Sequence, residues 1–293
     1  MANSDQLNNA RSQIDEIDDQ LLELLNRRAA LAQKVARGKK EELSGLPGES
    51  EIVYYRPDRE AQVLARVCDL NKGPFPDRAV RTIYREVISA TLALEQPLKV
   101  TFVEQPTGVA LAAVLKHFGR SALPVLVDDE AQALQYVADG LADVAMIVIG
   151  NQRNLLLSEP LTRLVSADLI PVGELWLDGR WQGDQQELAD LDQSGLTRIL
   201  ILGRQQCEPT GDDRTLLLVE GDDHITSRFL QSMLGPNLQL TCVDTSLNCW
   251  CLMVDGHLQD QSVQQWIVLL KECCRSVKPI SSWPVANDDR VDG

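Results

Sequence analysis

The first forty residues carry an apolar seam that only one local structure can use. From Leu7 the apolar positions run Leu7, Ala10, Ile14, Ile17, Leu21, Leu24, Leu31 and Val35, in alternating steps of three and four. That period belongs to a single long amphipathic helix with a heptad face, and no proline interrupts it before Pro47. The seam has one hole, Arg28. A charge on an apolar stripe is costly unless an opposite charge meets it, either within the protein or on a ligand. Stepping by sevens from Arg11 gives Asp18, Leu25, Ala32 and Lys39 on a neighbouring stripe. Lys39 follows Arg28 by eleven residues, about three helical turns, so the two side chains can converge on one object. Arg11 precedes Arg28 by 17 residues, about 25 Å along the axis. It reaches the same small ligand only from a second, antiparallel copy of the helix.

After a Gly/Pro/Ser-rich break at 43–50, Tyr55-Arg56-Pro57-Asp58-Arg59-Glu60 opens a second helix. Pro57 suits its first turn, and Ala61, Val63, Leu64 and Val67 form its apolar side. Arg59 lies in that first turn, able to face the long helix. A second break, Gly73 to Asp77, precedes a third helix through Val80, Ile83, Tyr84, Val87, Ile88, Thr91 and Glu95. Thr91 and Glu95 are four apart and share a face, where Glu95 adds a carboxyl to a site rich in Arg and Lys.

Charge narrows the partners. The net charge of −15 opposes nucleic acid or an anionic membrane as a ligand. It is uneven: residues 1–100 hold 15 Lys+Arg against 16 Asp+Glu, and the rest hold 13 against 27. No run approaches the ~18 apolar residues of a membrane span, and the start MANSDQLNNARSQ is too polar for a signal peptide. Seven cysteines with no repeated Cys-x-x-Cys pair fit a reducing cytoplasm better than a disulfide framework or a zinc ribbon. There is no Gly-x-Ser-x-Gly, no His-x-x-x-His and no acidic ligand cluster, and His117, His224 and His257 all lie beyond the helices. Nucleophilic and metal chemistry are therefore not expected. Fixed cations with few general bases suit a small polyanion, a dicarboxylate above all.

Ala10-Arg11 to Asp19, Leu24 to Arg28, Val35 to Lys39, Tyr55 to Leu64 and Tyr84 to Glu95 occur in the order of a known family. Residues 5–97 resemble the all-helical (AroQ) class of chorismate mutase, as found at the front of the fused chorismate mutase–prephenate dehydratases. The resemblance implies an intertwined helical homodimer with two active sites, each taking one arginine from the partner copy. Arg11 of one subunit and Arg28 of the other would hold the substrate carboxylates. Lys39 would touch a carboxylate and the ether oxygen. Arg59 would be a supporting arginine, and Glu60 would bind a substrate hydroxyl. Thr91 falls where the family often has Ser, and Glu95 where it has Gln or Glu. Arg56 departs from the pattern, standing where some members have an acidic residue. The implied reaction, chorismate to prephenate, needs no cofactor.

Behind the helices, Leu98–Val103, a helix over 108–118, Leu123–Val127, a helix from Glu130 to Ala138 and Val144–Ile149 alternate as β and α. Thr197–Gly203, Arg214–Val219, a helix near Ile225–Leu234, Leu238–Val243, Cys249–Val254 and a helix near Ser262–Cys274 follow. The order resembles the dehydratase and ACT domains of the same fused proteins, with Lys116-His-Phe-Gly119, Leu141-Ala-Asp143, Gly256-His-Leu and Ser282-Trp-Pro284 as landmarks. Functional motifs are eroded. Glu104-Gln-Pro-Thr-Gly108 replaces a glycine-rich substrate loop, and Asn151 alone survives from a second motif. Thr197-Arg198-Ile199 stands for Thr-Arg-Phe, and Asp244-Thr-Ser-Leu247 has lost the effector arginine. About 45 residues separate Asn151 from Thr197, below the ~50 of the smallest domains, so a second lobe is not expected.

The expected organisation is multi-domain: an all-α mutase domain over 1–97, a shortened dehydratase-like α/β lobe over 98–195, an α+β ACT-like domain over 196–285, and a tail over 286–293. The function expected is a chorismate mutase of phenylalanine and tyrosine biosynthesis with an inactive dehydratase region. Two alternatives stand beside it: a working bifunctional mutase–dehydratase, and a non-catalytic regulator that docks on another aromatic-pathway enzyme through the acidic rear portion. Cys249-Trp-Cys251 and Cys273-Cys274 read as packing thiols.

Overall fold

The computed structural model describes residues 2–44, 54–104, 109–150, 169–178, 196–235, 238–246 and 248–285. The side chains of Lys39 and Thr197, within these ranges, lie outside the description, as does the whole of Asn151. Among the described residues no helix is long and apolar enough to cross a membrane.

The heptad seam forms one helix, α1 (Ala2–Ser44), of 43 residues and about 65 Å. α2 (Pro57–Leu70) starts on its proline, and α3 (Asp77–Ala93) starts after Pro76. α2 packs against α3 through Leu64, Val67 and Cys68. α1 touches α3 only along part of its length, and Leu7, Ile14, Ile17, Leu21, Leu24, Leu31 and Val35 are each more than half exposed. Glu95, expected to close α3, lies in the turn beyond it, because the helix ends at Ala93.

A five-stranded sheet follows, in the order β2-β1-β3-β5-β4. β1 (Lys99–Val103), β2 (Leu123–Val127) and β3 (Val144–Gly150) are parallel, linked by α4 (Val109–Phe118) and α5 (Glu130–Ala138). β1 has β2 on one side and β3 on the other, so right-handed crossovers put α4 and α5 on opposite faces. β5 (Leu196–Gly203) runs antiparallel between β3 and β4 (Ile170–Asp178). The sequence reading groups Leu196–Gly203 with the third unit. The structure instead gives it an inner place in this sheet, where Ile199 to Leu202 are at most 2% exposed. An unbroken apolar run suits a strand buried on both faces, and pairing with β3 and β4 leaves it no open edge.

The four-stranded sheet has the order β7-β8-β6-β9, all antiparallel. It is built from β6 (Asp213–Glu220), α6 (Ser227–Leu234), β7 (Gln239–Asp244), β8 (Cys249–Asp255), α7 (Gln261–Cys273) and β9 (Ser276–Pro284). Sequence periodicity does not reveal β4 or β9. Both are edge strands carrying proline, at Pro171 and Pro279, and both have a register shift beside it. These two edges meet, with Ser281 Oγ donating to the Pro171 carbonyl at 2.7 Å.

Between the sheets lies a buried ionic cluster. Arg198 on β5 is fully enclosed and donates through Nε (3.1 Å) and a terminal nitrogen (2.6 Å) to one oxygen of Glu174 on β4. The other Glu174 oxygen accepts from Arg214 on β6, which also reaches Asp255 on β8 at 3.2 Å. Arg198 further donates to Gln239 on β7 and lies 4.9 Å from the Trp176 ring centroid. Four strands of two sheets thus share one set of charges. The landmark motifs serve this scaffold too. Ser282 Oγ accepts from the Leu258 amide and bonds Thr215 Oγ1, joining Ser-Trp-Pro to Gly-His-Leu.

The helices dock on the α/β region through α3 and α4. Gly119 has φ +78°, and a Cβ there would sit 2.5 Å from the Ser89 Cβ of α3. Tyr55 packs edge-on against Phe118 at 5.3 Å. Gly119→Ala meets both backbone strain and a clash, and should lower the free energy of unfolding by about 2–4 kcal/mol in urea titration. Arg198→Ala leaves Glu174 short of its inner partner and should cost about 3–5 kcal/mol in the same measurement.

Candidate functional site

The charged hole in the α1 seam is met by α3. Arg28 donates through a terminal nitrogen to Thr91 Oγ1 at 2.7 Å. The Thr91 hydroxyl in turn donates to the Val87 carbonyl one turn back, at 2.6 Å, which fixes its lone pairs toward the arginine. Arg28 is half-buried. Burial lowers its pKa and the nearby Tyr84 opposes that, yet a guanidinium stays charged. It sits near the C-terminal end of α3, where the helix dipole favours a cation. One of five N–H donors is used on Thr91, so the group is anchored in a fixed orientation with a fork left to present.

The structure brings Arg28 and Thr91 together and places the other expected site residues as follows. Lys39 lies on α1, eleven residues beyond Arg28. Glu95 is half-buried in the turn one helical turn past Thr91. Arg11 is exposed on the distant part of α1, so within one chain it does not reach Arg28. Arg59 is exposed on α2 and donates to Gln62 at 3.4 Å. Glu60 turns away from Arg28 and lies 3.8 Å from Arg85 Nε on α3. Arg85 and Thr91 are six residues apart, about 120° around the helix, so Glu60 and Thr91 belong to different faces. Arg56, the departure from the family pattern, holds the buried Asp58 with two hydrogen bonds, at 3.1 and 2.6 Å. Burial pushes the Asp58 carboxyl up, but this arginine outweighs it and the pKa is lowered.

Glu60 instead opens into a cleft between the helices and the α/β region, a feature that sequence reasoning does not anticipate. Arg81 and Arg85 of α3, His117 of α4 and Glu174 of β4 share it, with Tyr55 at its back. Burial raises the Glu60 carboxyl to about 7, with Arg85 opposing. Burial, then Arg85 and Lys116, lower the His117 imidazole to about 3, and its Nε2 shares a 3.2 Å hydrogen bond with the Tyr55 hydroxyl. Glu174 within a run of apolar strand residues was the one available signal, since a buried carboxylate demands partners from elsewhere.

Of the eroded dehydratase motifs, Asn151 lies outside the described residues. Thr197 is paired with Leu177 across β5 and β4, and Arg198 is the centre of the buried cluster. His257 is a satisfied core residue. Its Nδ1 accepts from the Gln259 amide, so Nε2 carries the proton and donates to the Cys207 carbonyl at 3.1 Å.

Comparison with known proteins agrees with this division. Residues 10–96 match the chorismate mutase type II family. A bifunctional chorismate mutase/prephenate dehydratase from Pseudomonas aeruginosa is 30% identical, over 98% of this chain and 100% of that protein. One from Stutzerimonas stutzeri is 26% identical over 98% and 100%. The first alignment runs to 369 positions against a chain of 293 residues, so the relative carries sequence that this chain lacks. Two solved structures share the fold of the rear part. The prephenate dehydratase from Arthrobacter aurescens in complex with L-Phe has a TM-score of 0.50 at 15% identity, over 66% of this chain and 91% of that one. GqqA, described as a novel type of quorum quenching acylase, has a TM-score of 0.52 at 17% identity, over 66% and 98%. A helical domain carrying an anchored arginine, followed by two sheets with a dehydratase-type fold, and matched end to end by such relatives, belongs to the family of bifunctional chorismate mutase/prephenate dehydratases.

Proposed function

We propose that this chain is a chorismate mutase that rearranges chorismate to prephenate in the biosynthesis of phenylalanine and tyrosine. The observation that carries this reading is the Arg28–Thr91 pair: a cation on an apolar helix stripe, held in place by a hydroxyl and, among the described residues, not neutralised by a carboxylate. The rearrangement is intramolecular and moves no proton, so the protein's work is to hold the compact diaxial conformer and to stabilise charge on the breaking ether oxygen. Arg28 grips one substrate carboxylate. Lys39 serves a carboxylate and the ether oxygen, and Glu95, when protonated, donates to that oxygen as well. Each such donor is typically worth ~3 kcal/mol of barrier.

The site is completed by a second copy. Seven large apolar residues of the α1 seam stand open to solvent, and an antiparallel partner helix would cover them while bringing its Arg11 to the Arg28 of this chain. Glu60 is left out of this assignment because its carboxyl faces Arg85. The rear region reads as a dehydratase-like lobe that has lost its activity, followed by an ACT-like unit. The β6-α6-β7-β8-α7-β9 order supports the second part. The first is supported by Arg198, whose charge is spent inside the protein on Glu174. In the eroded effector loop, Asp244 turns back to accept from the Ser246 amide and hydroxyl, at 2.8 and 2.6 Å.

Incubation of the purified chain with chorismate should yield prephenate and no phenylpyruvate; formation of phenylpyruvate establishes the bifunctional alternative, and absence of both products the regulatory one. Arg28→Ala should lower kcat/KM at least a hundredfold with the circular dichroism unchanged. Mixing Arg11→Ala and Arg28→Ala chains through a refolding step should restore about a quarter of the parent activity, since half of the dimers then hold one complete site. No recovery would place Arg11 outside the site. Glu95→Gln, which keeps a hydrogen-bond donor at that place, should retain more of the parent kcat/KM than Glu95→Ala.

A further inference from the structure

Three sulfur atoms meet where α6 and α7 end, away from both the mutase face and the Glu60 cleft. α7 finishes at Cys273, and Cys274 caps it with extended backbone (φ −113°, ψ 152°), its amide still donating to the Leu270 carbonyl at 2.8 Å. Neighbouring side chains of a continuing helix diverge by ~100°. Here the chain leaves the helix between the two cysteines, and their Sγ atoms lie 3.7 Å apart. Cys273 Sγ also lies 3.8 Å from Sδ of Met233, in the last turn of α6.

The sequence reads Cys273-Cys274 as packing thiols. Cys249 and Cys251 are indeed buried, whereas Cys273, Cys274 and Met233 are each only partly buried. Apolar side chains surround them, with Leu270 buried and Leu234, Leu238 and Val277 packed against the same cluster. Outside the sulfurs, the Cys273 thiol has only long contacts with the Leu269 and Leu270 carbonyls, both at 3.4 Å. Burial and then the Cys273 thiol push the Cys274 thiol up, and the Asp222 carboxylate that also acts on it is held by Arg275 at 2.6 Å.

Two thiols and a thioether make a soft donor set, the kind that selects Cu(I). A closed zinc site needs four donors drawn from Cys, His and carboxylate. Among the described residues no group of three or more His, Cys, Asp or Glu is placed to hold a metal ion. Metal–sulfur bonds of about 2.3 Å put the sulfurs of a trigonal site about 4.0 Å apart, close to the two separations found.

We propose that Cys273, Cys274 and Met233 form a three-sulfur binding site for a soft monovalent cation, copper(I). On binding, each thiol releases its proton and each sulfur gives an electron pair to the ion, with no change of oxidation state. The ion ties the end of α7 to the last turn of α6. This site is separate from the Arg28–Thr91 face and does not depend on the mutase reading.

Anaerobic titration of the full reduced chain with Cu(I) buffered by bicinchoninate tests this. The parent should withdraw one Cu(I) per chain from the chelator and gain in Tm. Met233→Leu, similar in size and without the sulfur, should hold the ion about tenfold more weakly or worse. The double variant Cys273→Ser/Cys274→Ser keeps the part-exposed Cys242 and should withdraw none, with the far-ultraviolet circular dichroism of all three chains coinciding. X-ray absorption of the loaded parent should show three sulfur neighbours, and excess zinc should not displace the copper. The proposal is overturned if the parent takes up no Cu(I), if the double variant takes up as much as the parent, if Met233→Leu binds as tightly, or if absorption shows nitrogen or oxygen ligands.

Discussion

A helix about 65 Å long carries an apolar stripe that the described residues of its own chain leave largely uncovered. α1 meets α3 only around Arg28, and the rest of its seam faces solvent. Everything at the front of this protein follows from that constraint. In the dimer proposed above, a second copy covers the stripe and the same antiparallel pairing brings Arg11 to the Arg28 site. Burial of apolar area and assembly of a cationic pocket would then be a single event, so stability and substrate binding would rise or fall together.

The rear of the molecule is organised by a different interaction. Arg198, Glu174 and Arg214 tie β5, β4 and β6 together where the edges of the two sheets meet. A buried cluster of this kind contributes little net stability relative to apolar packing, but removing one member is costly because the others stay behind uncompensated. It also changes the meaning of a motif. By resemblance, Thr197 and Arg198 fall in the dehydratase site motif. In this fold that arginine is saturated by Glu174, Gln239 and the Trp176 ring. The landmarks kept around it, from Asp143 at the β1 start to Ser282 on β9, make hydrogen bonds that pin strands and turns. That accounts for their presence independently of catalysis.

Much of this was legible in the residues alone. The heptad period gave α1, Pro57 and Pro76 marked the starts of α2 and α3, and apolar runs located β1, β2, β3 and most of the second sheet. The hidden elements were β4 and β9, whose prolines and serines contradict strand patterns until an edge position excuses them. Arg28 stood out because a charge on an apolar seam demands an explanation, but its link to Thr91 came only with the packing of α3 beside α1. Glu60 was harder: its type and spacing suited a substrate hydroxyl, yet its direction depended on how α2 packs against α3.

The sequence by itself determined the periods, and hence which segments are helix or strand and which residues share a face, because side-chain direction along an element is a local property. What neighbours each face was decided only by the tertiary structure. The sequence reading groups Leu196–Gly203 with the third unit, whereas it pairs along both edges with β3 and β4 inside the five-stranded sheet. The cleft holding Glu60, Arg85, His117 and Glu174 draws on residues as far apart as 60 and 174, which no local rule relates. Charges separated by that much chain meet through packing alone, and their pKa values, set by burial, come into being only with it.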